Sequence, residues 1–291
     1  MASEVSMKFN LISKIKLGQD GAIWNGYLFR FDSDGSCGVY SMDKVHANGE
    51  PIEALSTFYL DRIDELRPHS NAVVFSNEYY EEGDEFPLLY SNVYNNYAAS
   101  PRKLKGVCLV YRLVRNGNEF TTTLVGMVEI GFVDDYTLWG SCDEDVRPFG
   151  NFAIDRDTGL YWAFNMRDKA ESSRCFSFRL PPLAEWQTDD EFGIKHIVLN
   201  PEDIIEYFDV PYHNYVQGAC AYGGKVYSTE GFTNSQKAPA AIRVISCDEK
   251  REELCVRLDD YGIDIEPELI DFYNGVCYYS DNLGNLYTIE F

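Results

Sequence analysis

A chain of 291 residues, 45% hydrophobic and 25% charged, is long enough to bury a sizeable core and has the composition of a soluble globular protein. Its 25 basic and 47 acidic side chains leave a formal charge of -22, a field that repels phosphate backbones and anionic lipid and so argues against nucleic-acid and membrane partners. The 21 tyrosines and 18 phenylalanines suit strands better than helices.

In chain order, the opening MASEVSMKFNLISKIKLGQD has neither the apolar run nor the cleavage site of an export signal, and no run in the chain approaches the roughly 18 residues of a membrane span. A cytoplasmic protein is expected. Within this opening, KFNLISKIKL is strand-like but has no hairpin of its own.

A strand–turn–strand pattern then recurs five times: GAIWNGYLFRF (21–31), NAVVFSNEYYEEGDEFPLLYSN (71–92), NFAIDRDTGLYWAFN (151–165), GACAYGGKVYST (218–229) and ELIDFYNGVCYYSD (268–281). The dipeptides Asn25-Gly26, Gly223-Gly224 and Asn274-Gly275 supply the positive φ angles that tight hairpins need. Further strand-like runs follow each hairpin: CGVYSM and LSTFYLDRI; GVCLVYRLVR and TTTLVGMVEIGF; RCFSFRLP and KHIVLN; AIRVISC and LCVRLDD. The last unit has only NLYTIEF and is one strand short, so the unpaired amino-terminal run is expected to complete it and remove two open edges.

Other segments fit around this pattern. DSDGSCGVYSMD (32–43) begins like a calcium loop, but Cys37 stands where the turn glycine belongs and Asp43 where the closing glutamate belongs; it reads as a hairpin connection. EALSTFYLDRIDEL (53–66) has some amphipathic character, and NPEDIIEYFDV (200–210), with Asn200 as a cap before Pro201, predicts one short helical turn. The eight cysteines form no CxxC pair, and those in GVCLVY, CFSF, GACAY and GVCYYS fall inside apolar runs, so buried thiols and a reducing compartment are expected. Zinc, nucleophile-elbow and phosphate-loop motifs are missing from the sequence, and no cofactor or metal is expected.

Four strands per unit, five units and roughly 58 residues per unit, 291 divided by five, resemble a five-bladed β-propeller built of antiparallel sheets, with loops absorbing the excess over the about 40–50 residues of compact blades. One all-β domain spanning residues 1–291 is expected, as a monomer. The resemblance implies that the first strand of each unit lines a central channel whose mouth holds a ligand site.

Aligning the hairpins on their turns puts Asp20, Asn71, Asn151, Gly218 and Glu268 at the first positions of the inner strands. His69, Phe149, Gln217 and Glu266 come just before them, and His213 and Asn214 slightly further out. His69, Asn71, Asn151, His213, Gln217 and Glu268 therefore form the expected binding set for a small-molecule, glycan or peptide ligand. The structural alternative is that strand ends need such side chains to satisfy backbone groups.

A second reading is a carbohydrate-active hydrolase or lyase. Of the carboxyls Asp20, Asp155, Glu266, Glu268 and Asp271, Asp20 and Glu268 fall in channel register; Asn71 and Asn151 make two of the expected three carboxyl positions amides, and an amide exchanges no proton near neutral pH. Trp24, Trp139, Trp162 and Trp186, with Tyr94 and Tyr97, are the aromatic candidates either for stacking on sugar or for packing between units. A third reading is an interaction scaffold using the insert at 76–105.

Overall fold

The computed structural model describes residues 7–45, 48–99, 103–141, 146–147, 150–167, 172–211 and 215–291. Its strands begin with β1 (Lys8–Lys14). Blade 1 follows as β2 (Gly21–Trp24), β3 (Tyr27–Phe31), β4 (Ser36–Ser41) and β5 (Ser56–Tyr59), and blade 2 starts with β6 (Val73–Phe75), β7 (Leu89–Asn92), β8 (Val107–Asn116) and β9 (Glu119–Ile130).

Blade 3 starts with β10 (Asn151–Ile154), β11 (Leu160–Asn165) and β12 (Ser172–Arg179); then come β13 (Gln187–Thr188), β14 (Lys195–Leu199) and β15 (Glu206–Pro211). Blade 4 is β16 (Val216–Tyr222), β17 (Lys225–Glu230), β18 (Ala241–Ser246) and β19 (Arg251–Arg257), and blade 5 has β20 (Pro267–Tyr273), β21 (Val276–Asp281) and β22 (Asn285–Glu290). The five sheets form a five-bladed β-propeller, with β2, β6, β10, β16 and β20 innermost. The amino-terminal strand closes the ring: β1 runs antiparallel to β22, pairing Lys8 with Glu290 and Lys14 with Asn285.

The turn chemistry is as the sequence requires. Asn25, Asn274 and their following glycines all have positive φ, as do Gly223 and Gly224, giving two-residue hairpins whose twist matches the strands. Five apolar clusters fill the ring, one between each pair of consecutive blades. Phe29 meets Phe75; Tyr90 packs near Phe152; Trp162 shares a cluster with Val226; Tyr227 packs on Phe272; and Leu28 shares a cluster with Leu286. Both faces of each blade are thus buried, which accounts for the nearly continuous apolar runs in the sequence.

Inner strands also touch backbone to backbone. A Cβ on Gly218 would lie 1.8 Å from the carbonyl oxygen of Glu268 on the neighbouring blade. Gly218→Ala is therefore expected to push β16 and β20 apart at a cost of about 3 kcal/mol, read from chemical denaturation; an unchanged midpoint would show that the two strands are not held so closely.

Two expectations need correction. Blade 2 has six strands: KHIVLN, read as part of the third unit, is β14, which lies parallel on the outer strand of blade 2, Lys195 opposite Gly126 and Leu199 opposite Ile130. Gly126 permits this, since a Cβ there would already be 3.0 Å from Leu183 and 3.2 Å from the Lys195 carbonyl. The fourth strand of blade 3 is instead β15, from the stretch that predicts only a helical turn; that turn is present at Pro201–Asp203, with a reciprocal Asn200–Asp203 capping box, and the strand follows it. Residues 53–66 divide into β5 and one turn of helix, Ile63–Leu66.

The residues 32–43 form the β3–β4 connection, closed by Asp32 N–H donating to the Ser36 carbonyl, then strand β4 and the start of the helical turn Met42–Lys44. All seven described cysteines are free thiols, and all but Cys255 are buried; Cys142 lies outside the described residues. No described helix is long and apolar enough to cross a membrane.

Candidate ligand site at the axial mouth

The first positions of the inner strands form a buried polar layer around the axis. Asp20, Asn71 and Asn151 are 0% exposed and Glu268 is 1% exposed. Two of them tie blades together. Asp20 Oδ2 accepts the Val73 N–H of blade 2 at 2.9 Å, and Asn71 Nδ2 donates across the axis to the Val216 carbonyl of blade 4, also at 2.9 Å. Asn92, at the end of β7, donates to Asn71 Oδ1 at 2.7 Å and more weakly, at 3.5 Å, to Asn151 Oδ1. These bonds satisfy backbone groups that the narrow axis shields from water, so this layer acts first as a clasp.

Arg30 of β3 enters the same layer and is 1% exposed; its Nη2 donates to the carbonyls of Gly18 and Asp281 at 2.7 and 2.8 Å. Burial pushes the carboxyls of Asp20 and Glu268 well above their ordinary range, against the opposing pull of Arg30. Asp20 Oδ1 and Glu268 Oε2 have no donor among the described residues, while Glu268 Oε1 accepts from Gln19 Nε2 at 3.4 Å. Both candidate acids of the hydrolase reading thus lie beneath the surface.

Above this layer opens a cavity of about 450 Å³ to which every blade contributes: Gln19 from blade 1, His69 and Tyr94 from blade 2, Arg147 from blade 3, Tyr215, Gln217 and Phe232 from blade 4, and Glu266 from blade 5. His69 and Gln217, from the expected binding set, line it. Asn71, Asn151 and Glu268 are absent from its wall and belong to the layer below. His213 lies outside the described residues, as do Asn214 and Phe149.

The cavity has distinct charged poles. On the blade 5 side, Glu266 accepts from Gln217 Nε2 at 2.5 Å and from Asn282 Nδ2 at 3.1 Å, and half-burial raises its carboxyl above the ordinary glutamate range. On the blade 3 side, Arg147 Nη2 donates to the Tyr215 hydroxyl at 2.9 Å, its guanidinium 5.3 Å from that ring. His69 is pushed down to about 4 by burial and is neutral at physiological pH; its ring lies 5.2 Å from that of Tyr94. Gln19 and Gln217 add neutral amides to the wall.

The other candidates are occupied elsewhere. Asp271 accepts the Ile23 N–H and pairs with Arg156, whose Nε reaches the Phe75 carbonyl, while Asp155 holds the DRDTG turn through the N–H groups of Asp157 and Thr158. Trp139, Trp162 and Trp186 are buried in clusters between blades, and Trp24 packs on Phe75. Tyr94 lines the mouth but is only 5% exposed.

Sequence reasoning missed Arg30, Asn92 and Arg147. Arg30 carries a signal, a lone charge inside the apolar run YLFRF. Arg147 has none, because it sits between repeats where no alternation sets a register.

No protein-family model matches the chain, and no relative is found among curated proteins. Among solved structures it is similar to a Myxococcus xanthus glutaminyl cyclase, at 7% identity and a TM-score of 0.48, over 96% of this chain and 97% of that one. It is also similar to Kuenenia stuttgartiensis hydrazine synthase, at 9% identity and 0.42 over 90% of this chain and 61% of that one, and to the computationally designed Ika8 protein, at 8% identity and 0.36 over 96% and 99%. At such identities no activity is carried over.

Proposed function

We propose that the chain is a binding protein whose axial mouth takes a small zwitterion of amino-acid or dipeptide size. The observation that carries this reading is one cavity with a carboxylate from blade 5 and a guanidinium from blade 3 on its wall, together with the neutral amides of Gln19 and Gln217. A volume of about 450 Å³ is within the range of small-molecule sites. Glu266 receives the ammonium end, and the charge of Arg147, whose Nη2 also holds the Tyr215 hydroxyl, draws the carboxylate end.

A glycan is the weaker reading of the same cavity. Sugar rings want open aromatic faces, but Tyr215 is flanked by Arg147 and by Phe232, whose ring centroid lies 5.1 Å away, and Tyr94 is buried. The hydrolase reading draws no support from Asp20 and Glu268, which do not reach the cavity wall.

Calorimetric titration with glycyl-leucine, its N-acetyl form and its C-terminal amide tests the proposal. Either block is expected to weaken binding by more than about tenfold. Glu266→Gln should abolish the difference made by acetylation, and Arg147→Met the difference made by amidation. Because the Glu266 carboxyl is raised and must be ionised to hold an ammonium, affinity should fall with acidification from above the ordinary glutamate range. A flat response to amino acids and dipeptides, or sugars binding in their place, overturns the reading.

A further inference from the structure

The largest of the described cavities lies far from the axis. It is a groove of about 740 Å³ on the outer side of blade 2, between the insert at 78–81, strand β9 at 123–125 and the excursion 183–195 that carries β14 onto this blade. Thr123, Leu124, Val125, Leu183 and Ile194 give it a largely apolar floor. On one wall Tyr79 and Tyr80 are 44% and 43% exposed.

Glu78 sits beside them, half-buried, with Oε1 accepting the Leu183 N–H at 2.7 Å; burial raises its carboxyl. A carboxylate placed against apolar surface and next to the half-exposed ring of Tyr79 is suited to a cation, whereas the Tyr80 ring already carries the Arg112 guanidinium 4.9 Å from its centroid. The charge of the two walls agrees. Segments 78–85 and 183–195 hold Glu78, Glu81, Glu82, Asp84 and Glu85, then Glu185, Asp189, Asp190 and Glu191, against the single basic Lys195. Arg112 pairs with Glu81 and Asp84, and Arg115 with Glu85, while Lys195 Nζ is turned to the carbonyls of Ala184 and Trp186. Glu78 and Glu81 lie on the groove wall itself, and the two flanking segments stay net negative.

We infer that this groove docks a basic segment of a partner protein, seating a lysine or arginine side chain against Glu78 and Tyr79. The apolar floor takes the stem of that side chain, and the acidic flanks steer the segment toward it. The site is separate from the axial mouth, and the inference does not depend on what the mouth binds.

The test is fluorescence anisotropy with a labelled peptide of alternating lysine and alanine, at physiological salt. Glu78→Gln and Tyr79→Ala are each expected to weaken binding by about tenfold. Glutamine keeps an acceptor for Leu183 N–H, so the loop should hold its shape. The pair Asp259→Asn and Asp260→Asn removes two charges from blade 4 and should change affinity by less than about twofold. No binding by the unaltered protein, groove variants that bind as well as it does, or an equal loss in the blade 4 variant would each overturn the inference, the last by showing diffuse attraction to an acidic surface.

Discussion

Arg30→Met is expected to destabilise the fold by about 3–5 kcal/mol at about pH 7.5, the cost of leaving buried carboxyls without their counter-charge. Arg30 stands in a layer where Asp20 and Glu268 are both essentially unexposed, and its charge offsets part of the burial that raises their pKa values. Methionine keeps much of the volume and removes the charge. The two acids must then either hold protons or ionise unpaired.

The sign of the pH dependence follows. A carboxyl raised in the folded state binds its proton more tightly there than in the unfolded chain, so its stabilisation is full below the unfolded value, about 4, and is lost as pH rises through the folded value. The Arg30→Met fold should retain protons to still higher pH, so its deficit should be smallest in acid, where both folds hold these protons, and grow as pH rises. Urea denaturation at a series of pH values measures it. A deficit that shrank with rising pH would show that Arg30 does not face these acids.

Deleting residues 1–14 is expected to have an effect of similar size. It removes β1 and buried Met7 and Ile12, and it bares the β22 edge and neighbouring Leu286 and Ile289. Two buried side chains at about 1.5–3 kcal/mol each, with the lost ladder, amount to about 5 kcal/mol or more, against a total stability on the order of 5–15 kcal/mol. The melting temperature should fall by about 10 °C or more, and the open edge should drive association visible by size-exclusion chromatography. An unchanged melt of a monomeric species would mean that ring closure contributes little.

Much of this fold is legible in the sequence because its strongest signals are local. Asn25-Gly26 and Asn274-Gly275 mark hairpins whatever surrounds them, and the strand missing from the last unit leaves only the amino-terminal run to fill it. The destination of β14 is different. KHIVLN reads correctly as a strand, but its partner on blade 2 depends on the close approach that Gly126 permits, and no local pattern states it. The acidic, proline-containing stretch before β15 likewise hides a strand behind a true helical turn.

At the site, hairpin register located the axial layer but not its depth. Asn71 is in the expected position and is used up in inter-blade hydrogen bonds, and Asn151 is buried beside it, whereas Gln19, His69, Gln217 and Glu266, one or two residues earlier in each repeat, reach the mouth. Register gives the order of residues along an axis. How many of them lie below the surface depends on how tightly the blades converge, which Gly218 and its contact with Glu268 decide.

Following the backbone amide chemical shifts of isotope-labelled protein during titration with glycyl-leucine tests the mouth most directly. Saturable shifts are expected at Gln19, His69, Arg147, Gln217 and Glu266, five positions far apart in sequence that meet only if every blade delivers its inner strand to one site. Saturable shifts confined to a single blade, or to the 78–81 and 183–195 segments, would contradict it.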